Sequence, residues 1–396
     1  MTATHDTTPR DTAAPRRTCI MLVPGFLGFQ QLHTMEYFAD VVEIIQRECA
    51  AAGVAADVRA VRTLPTSSLA ARAARLAEVV AELPEDADVH LAGHSTGGLD
   101  SRLFVTPGAS LPTTVDIETA ASRVRSVVSV ATPHYGTPLA TYFTGVQGHR
   151  LMRLVSGVVT QILKRGKSSI GAAWELGKIV LLLDRITGLD GRVREALGAE
   201  LSGKLSKLDE RERTSVQQLL DEIGDDSSLL EHLTPISLEL FNSAAGNRKT
   251  TRYGSVVAMA PPPKARRVMR FGFRPVEQLS HALYAASHRL TSAGTSRRRP
   301  PLTPEQRGRL QSGMGRLPDD ADSDGLVPTL SQVWGEIVSA VSADHFDLMG
   351  WYGGTVARPR LNLFESASHF DAVVFEATWR AVARFALASG SGETDV

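Results

Sequence analysis

The chain has 396 residues, 43% of them apolar and 22% charged, enough to bury a sizeable core and typical of a globular protein. Lys plus Arg and Asp plus Glu both number 43, so no net field points to nucleic acid, and no apolar run approaches the roughly 20 residues needed to span a bilayer. Two cysteines, Cys19 and Cys49, are too few for a disulfide scaffold or a thiolate metal cluster.

Residues 1–17 are polar and hold no apolar stretch, so they read as a disordered tail and not as a signal peptide, which makes a cytoplasmic protein the expectation. Thr18 to Val23 is a continuous apolar run of strand length, as in a strand buried on both faces, and Pro24-Gly25-Phe26 breaks it. His33 to Ala52 reads as a helix and Val54 to Val61 as a second strand. Ser67 or Ser68 caps a helix running to about Leu83. Asp88 to Gly93 is a third strand, followed by a helix; Val124 to Ala131 is a fourth, closed by Thr132-Pro133-His134-Tyr135-Gly136. Strands alternating with helices predict an α/β fold with a mostly parallel, doubly wound sheet.

From about residue 139 to 235 the pattern is helical, without a convincing strand. Leu151, Leu154, Val155, Val158, Val159, Ile162 and Leu163 form one apolar stripe, which serves equally a helix packed on the core or a lid that opens onto lipid. Ile179 to Leu183 suits either reading. Helix resumes at Ser237 to Asn242 and strand at Tyr253 to Ala260. Residues 261–300 form a basic insertion, with nine Lys or Arg between 264 and 299 against one acid, Glu277. It reads as a solvated surface, with an anionic head-group patch as the alternative. Phe370 to Ala388 is expected as a terminal helix over the sheet and 389–396 as a polar tail, so residues 18–388 form a single domain.

Gly93-His94-Ser95-Thr96-Gly97 sits between the third strand and its helix. A nucleophilic serine on a strand-to-helix turn has this Gly-x-Ser-x-Gly pattern, with the hydroxyl above the strand end and beside free helix N–H groups. Glycine fills 33 positions, so the pattern alone is weak. It needs a histidine to take the serine proton and a carboxylate to orient that histidine. Downstream acids are Asp319, Asp320, Asp322 and Asp324, and downstream histidines His345 and His369. Spacing does not choose among them.

Leu22-Val23-Pro24-Gly25-Phe26 together with Gly93 to Arg102 resembles a bacterial triacylglycerol lipase/esterase of the α/β-hydrolase superfamily. Ala131 to Ala140, Leu233 to Asn242, Tyr253-Gly254-Ser255, Ser323-Asp324-Gly325-Leu326-Val327 and Asp344-His345-Phe346-Asp347 resemble later segments of that family, in its order. The resemblance implies an α/β-hydrolase fold with a helical lid or cap. It implies Ser95 as nucleophile, Asp324 as acid, His345 as base, and the backbone N–H groups of Phe26 and Thr96 as oxyanion hole. Asp322 stands as the alternative acid and His369, at the start of the terminal helix, as the alternative base. His94 and His134 fall in family motifs as structural positions, and His90 is expected to be packed or at the surface. Related secreted lipases bind a structural calcium at the position of Asp347, with a second acid for which Glu305 is only roughly placed. No organic cofactor is expected. The expected activity is cleavage of lipid-like or small acyl esters, with peripheral contact to a lipid surface. Acyl transfer or thioester cleavage on the same triad is the alternative, and a non-catalytic binding protein of this fold a further one.

Overall fold

The computed structural model describes residues 16–26, 31–32, 35–38, 40–63, 67–144, 228–264, 275–293, 299–352 and 364–390. Its strands are β1 (Arg17–Val23), β2 (Gln31–Leu32), β3 (Met35–Glu36), β4 (Ala56–Ala60), β5 (Ala87–His94), β6 (Val124–Val130), β7 (Arg252–Ala258) and β8 (Glu336–Val341). Six form one sheet in the order β4-β1-β5-β6-β7-β8, with every pairing parallel, and β2 and β3 make a short antiparallel ladder apart from it. Described helices are α1 (Val41–Ala51), α2 (Leu69–Ala81), α3 (Thr96–Val105), α4 (Ile117–Ser122), α5 (Pro138–Thr144), α6 (Ser228–His232), α7 (Pro235–Ala244), α8 (Pro275–Ser292), α9 (Pro304–Met314) and α10 (Ala372–Gly390).

The continuous apolar runs become central strands because helices cover both sheet faces. In β1, Ile20 and Leu22 face α1 and α10, packing with Val41, Ile45, Phe375 and Trp379. Cys19, Met21 and Val23 face the opposite way, onto Ala73, Leu76 and Val80 of α2 and Phe104 of α3. Ser68 caps α2, its hydroxyl accepting from Ala71 N at 3.3 Å. After β1 the chain turns through α1 to β4 on one side, whereas β5 lies on the other side of β1. The helices that follow β1 and β5 leave toward opposite faces, and such a reversal opens a crevice at the carboxyl ends of the strands. The pairing of Val23 with Gly93 puts Pro24-Gly25 and Ser95 on that edge.

Three expectations need correction. The first helix starts at Val41 and not His33, because Gln31–Leu32 and Met35–Glu36 pair as the β2–β3 ladder. A sixth sheet strand, β8, and the helix α9 were not anticipated. The strand Glu-Ile-Val-Ser-Ala-Val is an edge strand with a mixed face, and α9 announces itself only by its capping box, Thr303 with Gln306. The basic stretch is more than a solvated surface: within it α8 buries His281, Tyr284, His288 and Thr291. The expected stripe 151–163, the run 179–183 and most of the basic positions lie outside the described residues.

Candidate active site

The turn after β5 is tight enough to dictate its own sequence. Ser95 takes φ 54° and ψ −124°, a left-handed backbone that costs on the order of 1–3 kcal/mol for a residue with a side chain. A Cβ on Gly97 would lie 2.8 Å from the Val23 carbonyl carbon and closer still to its oxygen. Only glycine lets β1 approach the helix start this closely. Ser95 is half-buried, with Thr96 beginning α3, whose first N–H groups lack intrahelical partners.

The candidate acid Asp324 and candidate base His345 lie on loops beyond β7 and β8. His345 Nδ1 donates to Asp324 Oδ2 at 2.7 Å, and both side chains are almost wholly buried. Asp324 Oδ1 accepts from Leu326 N (2.9 Å) and Val327 N (2.7 Å), and Gln332 Nε2 reaches Oδ2 at 3.2 Å. Helix α8 braces this loop through Thr291 Oγ1 to Gly325 O (3.2 Å) and Ser292 Oγ to Ala321 O (2.7 Å). His345 is tied to the serine turn, since His94 Nε2 donates to the His345 carbonyl at 3.0 Å and the two rings lie 4.7 Å apart. Burial, and then the neighbouring His345, hold the His94 imidazole far below the usual histidine range.

The alternatives lie elsewhere. Asp322 pairs with Arg316 (2.7 Å from NH1) and accepts from Asp319 N at 2.8 Å, and His369 is exposed ahead of α10. His90 is buried with Nδ1 at 2.9 Å from Ser126 Oγ. His134 is buried and stacked on Trp334, which also lies under Arg102 at 3.4 Å.

Asp347 does not fit a calcium ion. Its Oδ2 accepts from Asp344 N (2.8 Å) and Ser368 Oγ (2.7 Å), and Asp344 accepts from Phe346 N (3.0 Å), Asp347 N (3.2 Å) and Ser366 Oγ (2.6 Å). Calcium needs roughly six to eight oxygen acceptors turned toward one point. Here the partners of both carboxyls are N–H and O–H donors, which take up the oxygen lone pairs a cation would need. Glu305 is exposed in the first turn of α9, and no acidic, His or Cys cluster of metal-binding size occurs among the described residues.

Sequence reasoning missed two residues at this edge, Tyr37 and Arg72. Tyr37 Oη accepts from Gly25 N at 2.7 Å and lies 2.9 Å from His94 Nδ1. Arg72, wholly buried and paired with Asp100, donates to the carbonyls of Pro24 (2.7 Å) and Gly25 (3.3 Å). Its signal was positional: Arg72 sits three residues after Leu69 on the apolar stripe of α2.

No protein-family model and no curated protein matches the chain. Solved structures do. A metagenomic carboxyl esterase is 17% identical, with 98% of this chain and 82% of that one covered at a TM-score of 0.50. EstA from Clostridium botulinum is 17% identical over 96% and 89%, at 0.50. Lipase 1 from Pelosinus fermentans is 15% identical over 93% and 98%, at 0.51. With the parallel sheet and its flanking helices, this likeness shows the α/β-hydrolase fold.

Proposed function

We propose that the chain is a carboxylic ester hydrolase acting on lipid-like acyl esters, with Ser95 as nucleophile, His345 as base and Asp324 as the acid that orients it. The observation that carries this reading is the buried 2.7 Å bond from His345 to Asp324, on the same sheet edge as a serine held at φ 54°. That the solved structures sharing this fold include a carboxyl esterase and a lipase supports it.

In the reaction His345 Nε2 takes the Ser95 Oγ proton as Oγ bonds to the ester carbonyl carbon. The carbonyl electron pair moves to oxygen, and the N–H groups of Phe26 and Thr96 hold that oxyanion. The carbonyl re-forms, the C–O bond to the alcohol breaks, and His345 hands its proton to the departing oxygen. Water then attacks the acyl-enzyme, gives one proton to His345, and the acid leaves as Ser95 regains its proton. Asp324 keeps Nδ1 protonated throughout, so Nε2 is the bare nitrogen at the start of each cycle.

The elements that bracket residues 145–227 stand near this edge. Phe26 packs against an apolar cluster that holds Ala140 from one side of the excursion and Leu229 and Leu233 from the other, a surface suited to a hydrocarbon neighbour.

Ser95→Ala is expected to abolish hydrolysis of short nitrophenyl esters, and labelling by a fluorophosphonate, while circular dichroism and Tm stay unchanged. Retained hydrolysis would overturn the assignment. Product analysis with an added alcohol separates hydrolysis from acyl transfer.

A further inference from the structure

We propose that Tyr37 and Arg72 are positioning residues for the oxyanion hole: together they clamp both backbone polar groups of Gly25 and so aim the Phe26 N–H before substrate arrives. The inference rests on the reading above that this N–H is an oxyanion donor.

The clamp is visible group by group. Gly25 N–H donates to Tyr37 Oη at 2.7 Å, and Gly25 C=O accepts from Arg72 at 3.3 Å. The same guanidinium nitrogen holds the preceding carbonyl, Pro24 O, at 2.7 Å. Gly25 C=O and Phe26 N–H belong to one trans peptide unit and point in opposite directions. With Arg72 anchoring the carbonyl on the α2 side, the Phe26 N–H is turned away from Arg72. A Cβ on Gly25 would stand 2.6 Å from Ser95 Cβ and 2.9 Å from His94 O, so the loop rests directly on the nucleophile.

Each clamp is anchored in the serine element. The His345 carbonyl can only accept, so His94 carries its proton on Nε2 and offers a bare Nδ1. Tyr37 therefore donates to His94 while accepting from Gly25, and burial keeps its hydroxyl protonated for that task. Arg72 is held by Asp100 of α3 at 2.9 Å from Nε and 2.7 Å from NH2. Both members of that pair are fully buried. A buried ion pair is weak support for stability because desolvation offsets the attraction. Its directional use is what an apolar pair would not supply and a lysine would lack the planar edge for: Nε and NH2 are fixed on Asp100 while NH2 reaches both carbonyls. An oxyanion donor fixed beforehand spends no reorganisation energy during the reaction, which is where such donors gain their effect.

The test uses Tyr37→Phe, which removes one oxygen and keeps the ring, and Arg72→Lys, which keeps a charge for Asp100 but loses the fork. For each folded variant the readouts are kcat and KM on a short nitrophenyl ester, the inhibition constant of an alkyl boronic acid, and Tm. The boronic acid forms a tetrahedral adduct on Ser95 whose oxygen occupies the oxyanion position. The expected result is a kcat lowered about tenfold or more with KM nearly unchanged, and boronate affinity weakened by a similar factor. A folded variant that keeps both kcat and boronate affinity overturns the proposal, as does a kcat loss with boronate affinity intact. Failure of the hydrolase reading itself would show differently, as ester hydrolysis surviving in Ser95→Ala.

Discussion

Asp324 has four donors around two oxygens, and that arrangement sets what one atom can do. Leu326 and Val327 N–H groups occupy Oδ1, while His345 and Gln332 share Oδ2. In Asp324→Asn the two backbone donors keep the amide oxygen on their side, so the amide nitrogen faces His345. The imidazole then turns its bare nitrogen to that amide and carries its proton on Nε2, where it cannot accept from serine. A kcat lower by roughly 10⁴-fold is expected, with the fold intact. Asp322→Asn should leave kcat unchanged, because Asp322 pairs with Arg316 and not with His345; steady-state kinetics on both variants decides which aspartate serves. The ordered motifs made Asp324 and His345 legible in the sequence, but not Arg72. It lies in Leu-Ala-Ala-Arg-Ala-Ala-Arg beside the partly exposed Arg75, and composition treats the two arginines alike. Their separation is a matter of helical phase: one turn of the stripe buries Arg72 and points Arg75 outward.

At the scale of elements, the strand-to-helix turn and β1 are one packing unit. Gly97→Ala would drive a methyl group into the Val23 carbonyl, so either β1 or the start of α3 must retreat. The expected outcome is a loss of about 1–3 kcal/mol in stability together with at least a ~10²-fold fall in kcat. Thermal unfolding and ester kinetics on the same preparation check both, and an unperturbed Tm would show that the contact can relax. The central strands were readable because burial on both faces makes them continuously apolar. An edge strand such as β8 has one sparsely covered side and loses that signature. Helix α8 was obscured for another reason. Its flanks are basic, yet the stripe His281, Tyr284, His288 and Thr291 turns inward to brace the acid loop, a tertiary demand that charge counting does not register.

For the whole molecule, acid sensitivity is built into buried histidines. Burial lowers His90 to about 4, and holds His94 and His134 well below the ordinary histidine value. A histidine depressed in the folded state binds fewer protons there than when unfolded, so its contribution is complete above about pH 6.5 and is lost as pH falls through the folded value. For His90 that window runs from about 6.5 to about 4 and is worth on the order of 3 kcal/mol. Tm measured against pH should fall across this window, and His90→Asn should make the fall shallower; a flat profile would contradict the neutral, buried assignment. The scaffold also fixes the places where the chain leaves it after β6 and returns to it before β7. Thr137 N–H donates to Leu233 O at 3.0 Å, and Ala140 shares an apolar cluster with Leu229 and Leu233. The two ends of the long excursion between β6 and β7 are thus stitched together by the scaffold itself. Closing a loop whose ends already meet costs free energy that grows only logarithmically with its length. A segment inserted between ends held in this way adds little to the cost of forming the sheet, whatever its length. On the reading proposed above, new substrates would come from exchanging one segment while Ser95, His345 and Asp324 stay where they are.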